Sequence, residues 1–483
     1  MRNKHWSLVS LLIAGVFLVA CSSAPAAAPT SAPAAQPAAP AGAAASGEDM
    51  SQCTDAKRVQ ITWSTIAGFY TDAMSELVKG FEATHCAKVT IVNIDNSQLY
   101  DKQVIEMVGK TGAYDVVTLE TAEKAGFAEN GYILPMDDYI KAHDKAVAYD
   151  DIAPILADMT TRYKGHIWGL PYYTYTAGMF YRQDLFDDPT EKANFKAKYG
   201  YDLAVPTTWE QHRDIAEFFT RKAGDKLKGQ TLTKPFYGVG LMAGRFQDIQ
   251  DEMAAFIWGW GGHFINDDGT PGYADPIGTK AIKWYVEKLL PFAPPAATTV
   301  TYDGVMNQMN DGQIAMTAGF FLDQWPNAVK TEQTVPGAKI GVAEAPMKKA
   351  YIGAFLLAVA SSSKHPQTAM DFVSYIAGPD AQRKFASMGG TTTRMSILTD
   401  PEFNSPGMRT KTGHYSTLVQ IFKDDQGMKH NLFFSPFGAK IYNTEGPYYH
   451  QAAVKELTPE QAVQQLSAEV TKICGGKPCP VFR

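Results

Sequence analysis

The sequence predicts an α/β protein of two domains behind a secretory leader. Strand-like alternation and helix-like periodicity follow one another along the chain, the pattern of sheets joined by crossovers. With leader and linker set aside, roughly 430 of the 483 residues remain, too many for one compact core. Glycine and proline between Gly165 and Pro171 divide the alternation into blocks.

At the N-terminus, Arg2, Lys4 and His5 form a basic tip, Leu8 to Val19 an apolar run, and Ala20 a small-residue exit before Cys21. Residues 1–20 read as a signal peptide, since the run is too short and too poorly flanked for a membrane span. Leu18-Val19-Ala20-Cys21 resembles the bacterial lipobox, which makes Cys21 the expected lipidation site and mature N-terminus. Residues 21–52 are rich in Ala, Pro and Ser and lack aromatic side chains, so an extended tether is expected. Each buried lipid methylene contributes about 0.8 kcal/mol, so several acyl chains hold a protein at a membrane where one is marginal.

A formal net charge of −6 without a dense basic patch argues against nucleic acid as a partner. Cys53, Cys86, Cys474 and Cys479 are an even set in a secreted chain, so disulfides are expected. Cys53 precedes the first strand and Cys86 ends the first helix, while Cys474 and Cys479 enclose "GGKP"; the expected pairs are Cys53 with Cys86 and Cys474 with Cys479. Only His85 lies close in sequence to any of them, which disfavours zinc.

Val59, Ile61 and Trp63 alternate as in a strand, and Met74, Leu77, Val78 and Phe81 share one helical face. A strand over Lys88 to Ile94, a helix over Tyr100 to Gly109 and a buried parallel strand in "YDVVTLE" follow. "VPTTWEQHRDIAEFF" opens a helix with Thr207 or Thr208 as N-cap and Ile215, Phe218 and Phe219 inward. "YGVGL" reads as a strand, "MAAFIWGWGG" as an apolar helix stopped by glycines, and "TKAIKWYVEKLL" as an amphipathic helix. "NDDGTPGYAD" lacks the alternating carboxylates and distal glutamate of a calcium loop and reads as a turn. "GQIAMTAGFFLDQW" carries a strand; "YIGAFLLAVA" carries the last, leading into a helix with Ala369, Phe372, Val373 and Ile376 inward, stopped at Gly378 and Pro379.

In order, "FEATHCAKVTI", "YDVVTLETAEKAGFAENGYILPMDDYI", "YKGHIWGLPYYTYTAGMFYRQDLF", "VPTTWEQ", "WGWGGHFI", "MNDGQIAMTAGFF" and "GGTTTRMSIL" resemble the extracytoplasmic solute-binding proteins of bacterial ABC importers, in the maltose-binding branch. The resemblance implies the type II periplasmic-binding-protein fold: two α/β lobes, interlobe hinge strands and a ligand cleft closed by hinge bending. It places crossings near Gly169 to Pro171, Asp311 to Ile314 and Leu357 to Ser361. Lobe one is then 57–169 plus 314–358, and lobe two 170–313 plus 359–483. The region after residue 405 departs from shorter family members, and its pairing stays open.

A crossing at Gly169 to Pro171 sets Tyr172, Tyr173 and Tyr175 at the cleft lip, where a tyrosine offers a flat face to a sugar ring and a hydroxyl to its edge. Strand alternation turns about half of them inward, so at least one of Tyr172 and Tyr173 is expected to face ligand; Phe180 and Tyr181 read as core and Asp184 as a cap on the next turn. Ser64 and Thr65 end the first strand, where they meet sugar oxygens or merely cap a helix. Glu120, next to Thr118 at the end of the third strand, is placed to accept from two hydroxyls. By resemblance, Phe320 and Phe321 offer a stacking ring, with Trp325 as core. One of Trp258 and Trp260 is expected in the cleft; by resemblance, Gly353 with Ala354 lets ligand approach backbone, and Arg394 either reaches toward the cleft or forms a surface salt bridge.

The expected function is capture of a small neutral solute, a sugar, oligosaccharide or polyol, outside the cytoplasmic membrane by a lipid-anchored monomer that delivers it to ABC permease subunits. No catalytic residue, metal or cofactor is expected. A glycosidase would draw on Glu120, Asp323 and Glu344, whose spacing gives it no support, and "YGVGLMAG" lacks the Lys-Ser/Thr of a phosphate loop. The same fold binding a polyamine or a metal ion is the alternative that tyrosines alone leave open.

Overall fold

The structure, a computed structural model, describes residues 50–68, 71–425 and 430–483. The signal peptide, Cys21 and the tether as far as residue 49 lie outside the described residues. No helix among the described residues is long and apolar enough to cross a membrane.

Two five-stranded sheets organise the chain. β1 (Val59–Ile66) runs parallel to β2 (Ala87–Ile94) and to β3 (Val116–Glu120), linked through helices α1 (Thr71–Thr84) and α2 (Asn96–Gly109). β3 is buried along its whole length, as its unbroken apolar run requires. The second half of this sheet is antiparallel and comes from far along the chain: β10 (Ala354–Val359) lies between β3 and β4 (Leu170–Thr174). Behind it, α6 (Pro366–Ala377) sends Phe372 against Trp63 and Phe81, with ring centroids 5.5 and 5.2 Å away. α7 (Pro379–Ser387) follows and packs on α1.

The second sheet is built around β5 (Ala177–Arg182). β6 (Tyr237–Gly240) pairs parallel with β7 (Ile314–Thr317), and β7, β8 (Phe320–Phe321) and β9 (Ile340–Ala343) all pair antiparallel with β5. Helix α3 (Trp209–Phe219) covers it. Of the two N-cap candidates, Thr208 caps α3 and forms a capping box with Gln211. α4 (Asp248–Gly259) is buried nearly all round and stacks Phe256 on Trp209 at 3.8 Å. α5 (Pro276–Trp284) packs beside it, and "NDDGTPGYAD" forms a turn bridged between Ile265 and Pro271.

Strand pairing moves the expected lobe limits. Residues 314–343, assigned with 314–358 to lobe one, lie in the second sheet, because Ile314 pairs with Tyr237 in a parallel ladder whose crossover stays on that sheet. Gly169 to Pro171 and Asp311 to Ile314 are therefore not crossings. The chain passes between sheets from Thr174 to Ala177 and again from Ala343 to Ala354. These two passages lie side by side, with Tyr175 N donating to Gly353 O at 3.0 Å and Ala177 N to Tyr351 O at 2.8 Å. Residues 359–387 stay with the first sheet, since the apolar face of α6 is buried against it, rather than joining 170–313.

The region after residue 405 is helical. α8 (Gly438–Ala453) and α9 (Pro459–Ile473) pack on each other and on α4 and α5. Disulfides join Cys53 to Cys86 and Cys474 to Cys479, and the second pins the C-terminus, where Cys479 N donates to Gly269 O at 2.7 Å.

Candidate functional site

Parallel strands present their C-terminal ends to one edge of a sheet, and helices that follow them present free N–H groups to the same edge. In the first sheet that edge carries Ile66 to Gly68 after β1, Asn96 and Ser97 at the start of α2, and Glu120 at the end of β3. Opposite stand Asp248 and Asp251 of α4, Tyr302, Phe321 and Asp323, and α8 closes a third side with Tyr442, Asn443, Gly446 and Pro447. Together they enclose a cavity of about 690 Å³, within the usual range for small-molecule sites.

Its walls are aromatic. Tyr173 stacks on Phe355 with centroids 5.2 Å apart and planes at 27°. Tyr175 stands edge-on to Phe321 at 5.5 Å, and Phe321 meets Tyr302 at 6.1 Å. Its floor is acidic. Glu120 Oε1 accepts from Tyr175 at 2.6 Å and Tyr351 at 2.9 Å, and the Glu120 N–H donates to Glu123 Oε2 at 2.8 Å. Both oxygens of Asp251 lie 3.0 Å from the Tyr442 hydroxyl, and Asp248 Oδ2 accepts from Tyr302 N at 2.9 Å. Burial raises all four: Asp248 to about 7 and Glu123 to about 8, the latter also through the Glu120 charge. Glu120 and Asp251 move the same way, Asp251 with added repulsion from Glu120.

Of the residues singled out in the sequence, Glu120, Tyr173, Tyr175 and Phe321 line this cavity. Tyr172, of opposite parity, points into the helix layer and meets Trp63 edge-on at 6.0 Å. Ser64 and Thr65 are buried one step short of the edge, where Ser64 accepts from Gln103 at 3.0 Å and Thr65 from Thr118 at 3.1 Å. Their backbone neighbours Ile66 to Gly68 take the lining positions. Phe320 is wholly buried between Phe180 and Phe321. Trp258 lies beneath the floor, stacked on Tyr351 at 5.9 Å, and Trp260 faces away against Trp284 and Lys280. Neither tryptophan lines the cavity.

Gly353 serves Tyr175, since a Cβ there would come within 2.1 Å of its ring. Arg394 is fully buried behind the first sheet and donates to Ala377 O at 2.9 Å and to Ala148 O at 2.5 Å, the latter carbonyl also accepting from Asp151 N at 3.0 Å. Trp325 is core, as expected. Asp184 caps nothing and instead pairs with Arg182 at 2.8 Å and Lys228 at 2.9 Å. Glu344 turns outward to Lys348, so Glu120, Asp323 and Glu344 do not converge.

Sequence reasoning missed Asp248, Asp251, Tyr302 and the α8 residues. The aromatic density of "NLFFSPFGAKIYNTEGPYY" was the one signal for α8; the aspartates sit in a helix whose apolar character hides them.

Two α/β halves joined by adjacent passages, with a walled cavity between them, define the two-lobe periplasmic-binding-protein fold. The chain belongs to the bacterial extracellular solute-binding proteins, whose family description matches residues 70–383. It is 24% identical over 444 residues to a probable amino-acid ABC transporter periplasmic-binding protein of Sinorhizobium fredii, covering 89% of this chain and 91% of that one. A mannitol-binding protein of Pseudomonas aeruginosa is 24% identical over 317 residues, 62% of this chain and 65% of the relative. Among solved structures, an Agrobacterium radiobacter solute-binding protein in complex with ribitol superposes with a TM-score of 0.71 at 22% identity, covering 86% and 98% of the two chains. Maltose-bound MalE3 of T. maritima gives 0.69 at 17%, covering 86% and 100%.

Two predictions follow from these placements. Arg394→Met should lower stability by about 2 kcal/mol, because the buried Ala377 carbonyl loses its donor, while leaving solute affinity in the folded fraction unchanged; altered affinity at unchanged melting temperature would return Arg394 to the cleft. The second concerns pH. Glu123, Asp248, Glu252 and Glu445 have folded values pushed up by burial to about 8, 7, 8 and 8. Raised carboxyls stabilise fully below the unfolded value of about 4, and that contribution is lost as pH rises through the folded values. His212 and His414, lowered by burial to about 4 and about 3, oppose this only below about pH 6.5. Lys124, lowered to about 7, opposes it only above that value, one group against four. The melting temperature should therefore fall between about pH 6 and about pH 8; a rise over that interval would mean the carboxyls are compensated.

Proposed function

We propose that this protein captures a sugar, oligosaccharide or polyol in the cavity between its two sheets and presents it to the permease of an ABC importer. The observation that carries the reading is the pairing of flat aromatic walls, Tyr173 on Phe355 and Phe321 beside Tyr175, with a floor of hydrogen-bonding carboxyls. Aromatic faces take the C–H side of a sugar ring, and carboxyls accept from its hydroxyls. The mannitol-binding relative and the ribitol and maltose complexes support the same ligand class.

No chemistry on the solute is invoked; binding favours the closed form because only that form contacts ligand from both halves. The protein acts as a monomer, held outside the cytoplasmic membrane by lipid on Cys21 and by the 21–52 tether. Among the described residues, no group of three or more His, Cys, Asp or Glu is arranged to hold a metal ion.

Melting temperature and tryptophan fluorescence across mannitol, ribitol, tagatose, maltose, polyamines and metal ions test the reading. One carbohydrate or polyol should give a saturable shift, and Tyr173→Ala, Phe321→Ala or Tyr442→Ala should weaken it at least about tenfold, or about 1.4 kcal/mol. A shift from metal ions or polyamines alone would overturn the ligand class. For the anchor, Cys21→Ser should abolish incorporation of labelled palmitate and move the protein out of the membrane fraction; retention of label would assign the lipid elsewhere.

A further inference from the structure

The buried part of the cavity carries charge of one sign. Glu120, Glu123, Asp248, Asp251 and Asp323 all line it, and each is at most 7% exposed. The basic side chains among its described lining residues are Arg245 and Lys330, and both are exposed at the rim. Lys124 is buried nearby and feels the Glu120 charge, yet its ammonium donates to Met159 O, lies 4.7 Å from the Phe434 ring and is not among the lining residues. Carboxylates taken out of water demand a proton or a counter-charge. The buried lining supplies hydroxyls and backbone N–H groups, not a cation.

Two of these acids are bonded to neighbouring tyrosines. Tyr351 donates to Glu120, Tyr442 donates to Asp251, and the two rings lie 6.0 Å apart. Tyr175 completes the clamp on Glu120 and presents its ring beside Phe321. Paired carboxylates flanked by aromatic faces suit an ammonium group, which gains from the acids by charge and from the rings by their quadrupole. A neutral solute adds no counter-charge to the hydrogen bonds the acids already accept.

Resting on the sugar and polyol reading above, we propose that the solute is an amine-bearing sugar or polyol, its ammonium seated between Glu120 and Asp251 against Tyr175 and Phe321. Its hydroxyls take the remaining acceptors, and Tyr173 with Phe355 takes the face of its ring or chain.

Calorimetry of the purified protein with matched pairs tests this: glucosamine against glucose, and 1-amino-1-deoxymannitol against mannitol, with N-acetylglucosamine as the uncharged control. The amine should bind at least about tenfold more tightly than its neutral partner. That advantage should shrink as salt rises from about 0.05 M to about 0.5 M, and should vanish in Asp251→Asn and Glu120→Gln proteins that keep their melting temperature. Equal or tighter binding of the neutral partner, or of N-acetylglucosamine, overturns the amine and leaves the sugar reading standing. Putrescine binding as tightly as the amino compounds overturns the requirement for a sugar or polyol. Silence from amino and neutral members alike overturns both readings.

Discussion

Everything at the centre of this molecule turns on the burial of Glu120. Its carboxyl sits where β3 ends, and the two tyrosines that hold it, Tyr175 and Tyr351, belong to the two passages by which the chain moves between sheets. A carboxyl out of water must be hydrogen-bonded, so those passages are fixed in register with each other and with the strand end. The same constraint explains Gly353, which leaves room for the Tyr175 ring, and Trp258, which supports Tyr351 from below. One buried acid thus couples the joint between the halves to the floor of the cavity.

That coupling gives a physical route from solute to shape. In the proposed site, a ligand at the Glu120 carboxyl would compete for, or complete, the hydrogen bonds that the two passages depend on, with α4 and α8 on the opposite side of the cavity. A difference in contacts between open and closed arrangements is what shifts their populations. α8 makes the far wall more than a lid, since Tyr442 is bonded to Asp251 and so extends the acid and tyrosine network from one sheet's edge to the C-terminal helices.

Much of the fold was legible because burial leaves a periodic trace. β1 to β3 with their helices, an N-cap at Thr207 or Thr208, the helix with Phe372 inward and both disulfides could be read from local pattern and position. Tyr173, Tyr175, Glu120 and Phe321 were legible as lining residues because they sit at strand ends beside a passage. Ser64, Thr65, Tyr172, Phe320 and Trp258 were not distinguishable from them locally: each has the right chemistry, and a shift of one residue along a strand sends a side chain to the other face. Arg394 looked like a ligand-binding cation because a sequence does not show that Ala377 and Ala148 leave carbonyls in its path.

By itself the sequence determined the α/β class and both disulfide pairs, since composition, periodicity and short motifs act over a few residues. Only the tertiary structure decided which strands share a sheet, because the pairing of Ile314 with Tyr237 and of Leu357 with Thr118 joins residues far apart in the chain and is set by side-chain burial on both partners. Only it brought Asp251 of α4 and Tyr442 of α8 to the same cavity as Glu120. That convergence of three distant segments gives the site its charge, and no local pattern carries it.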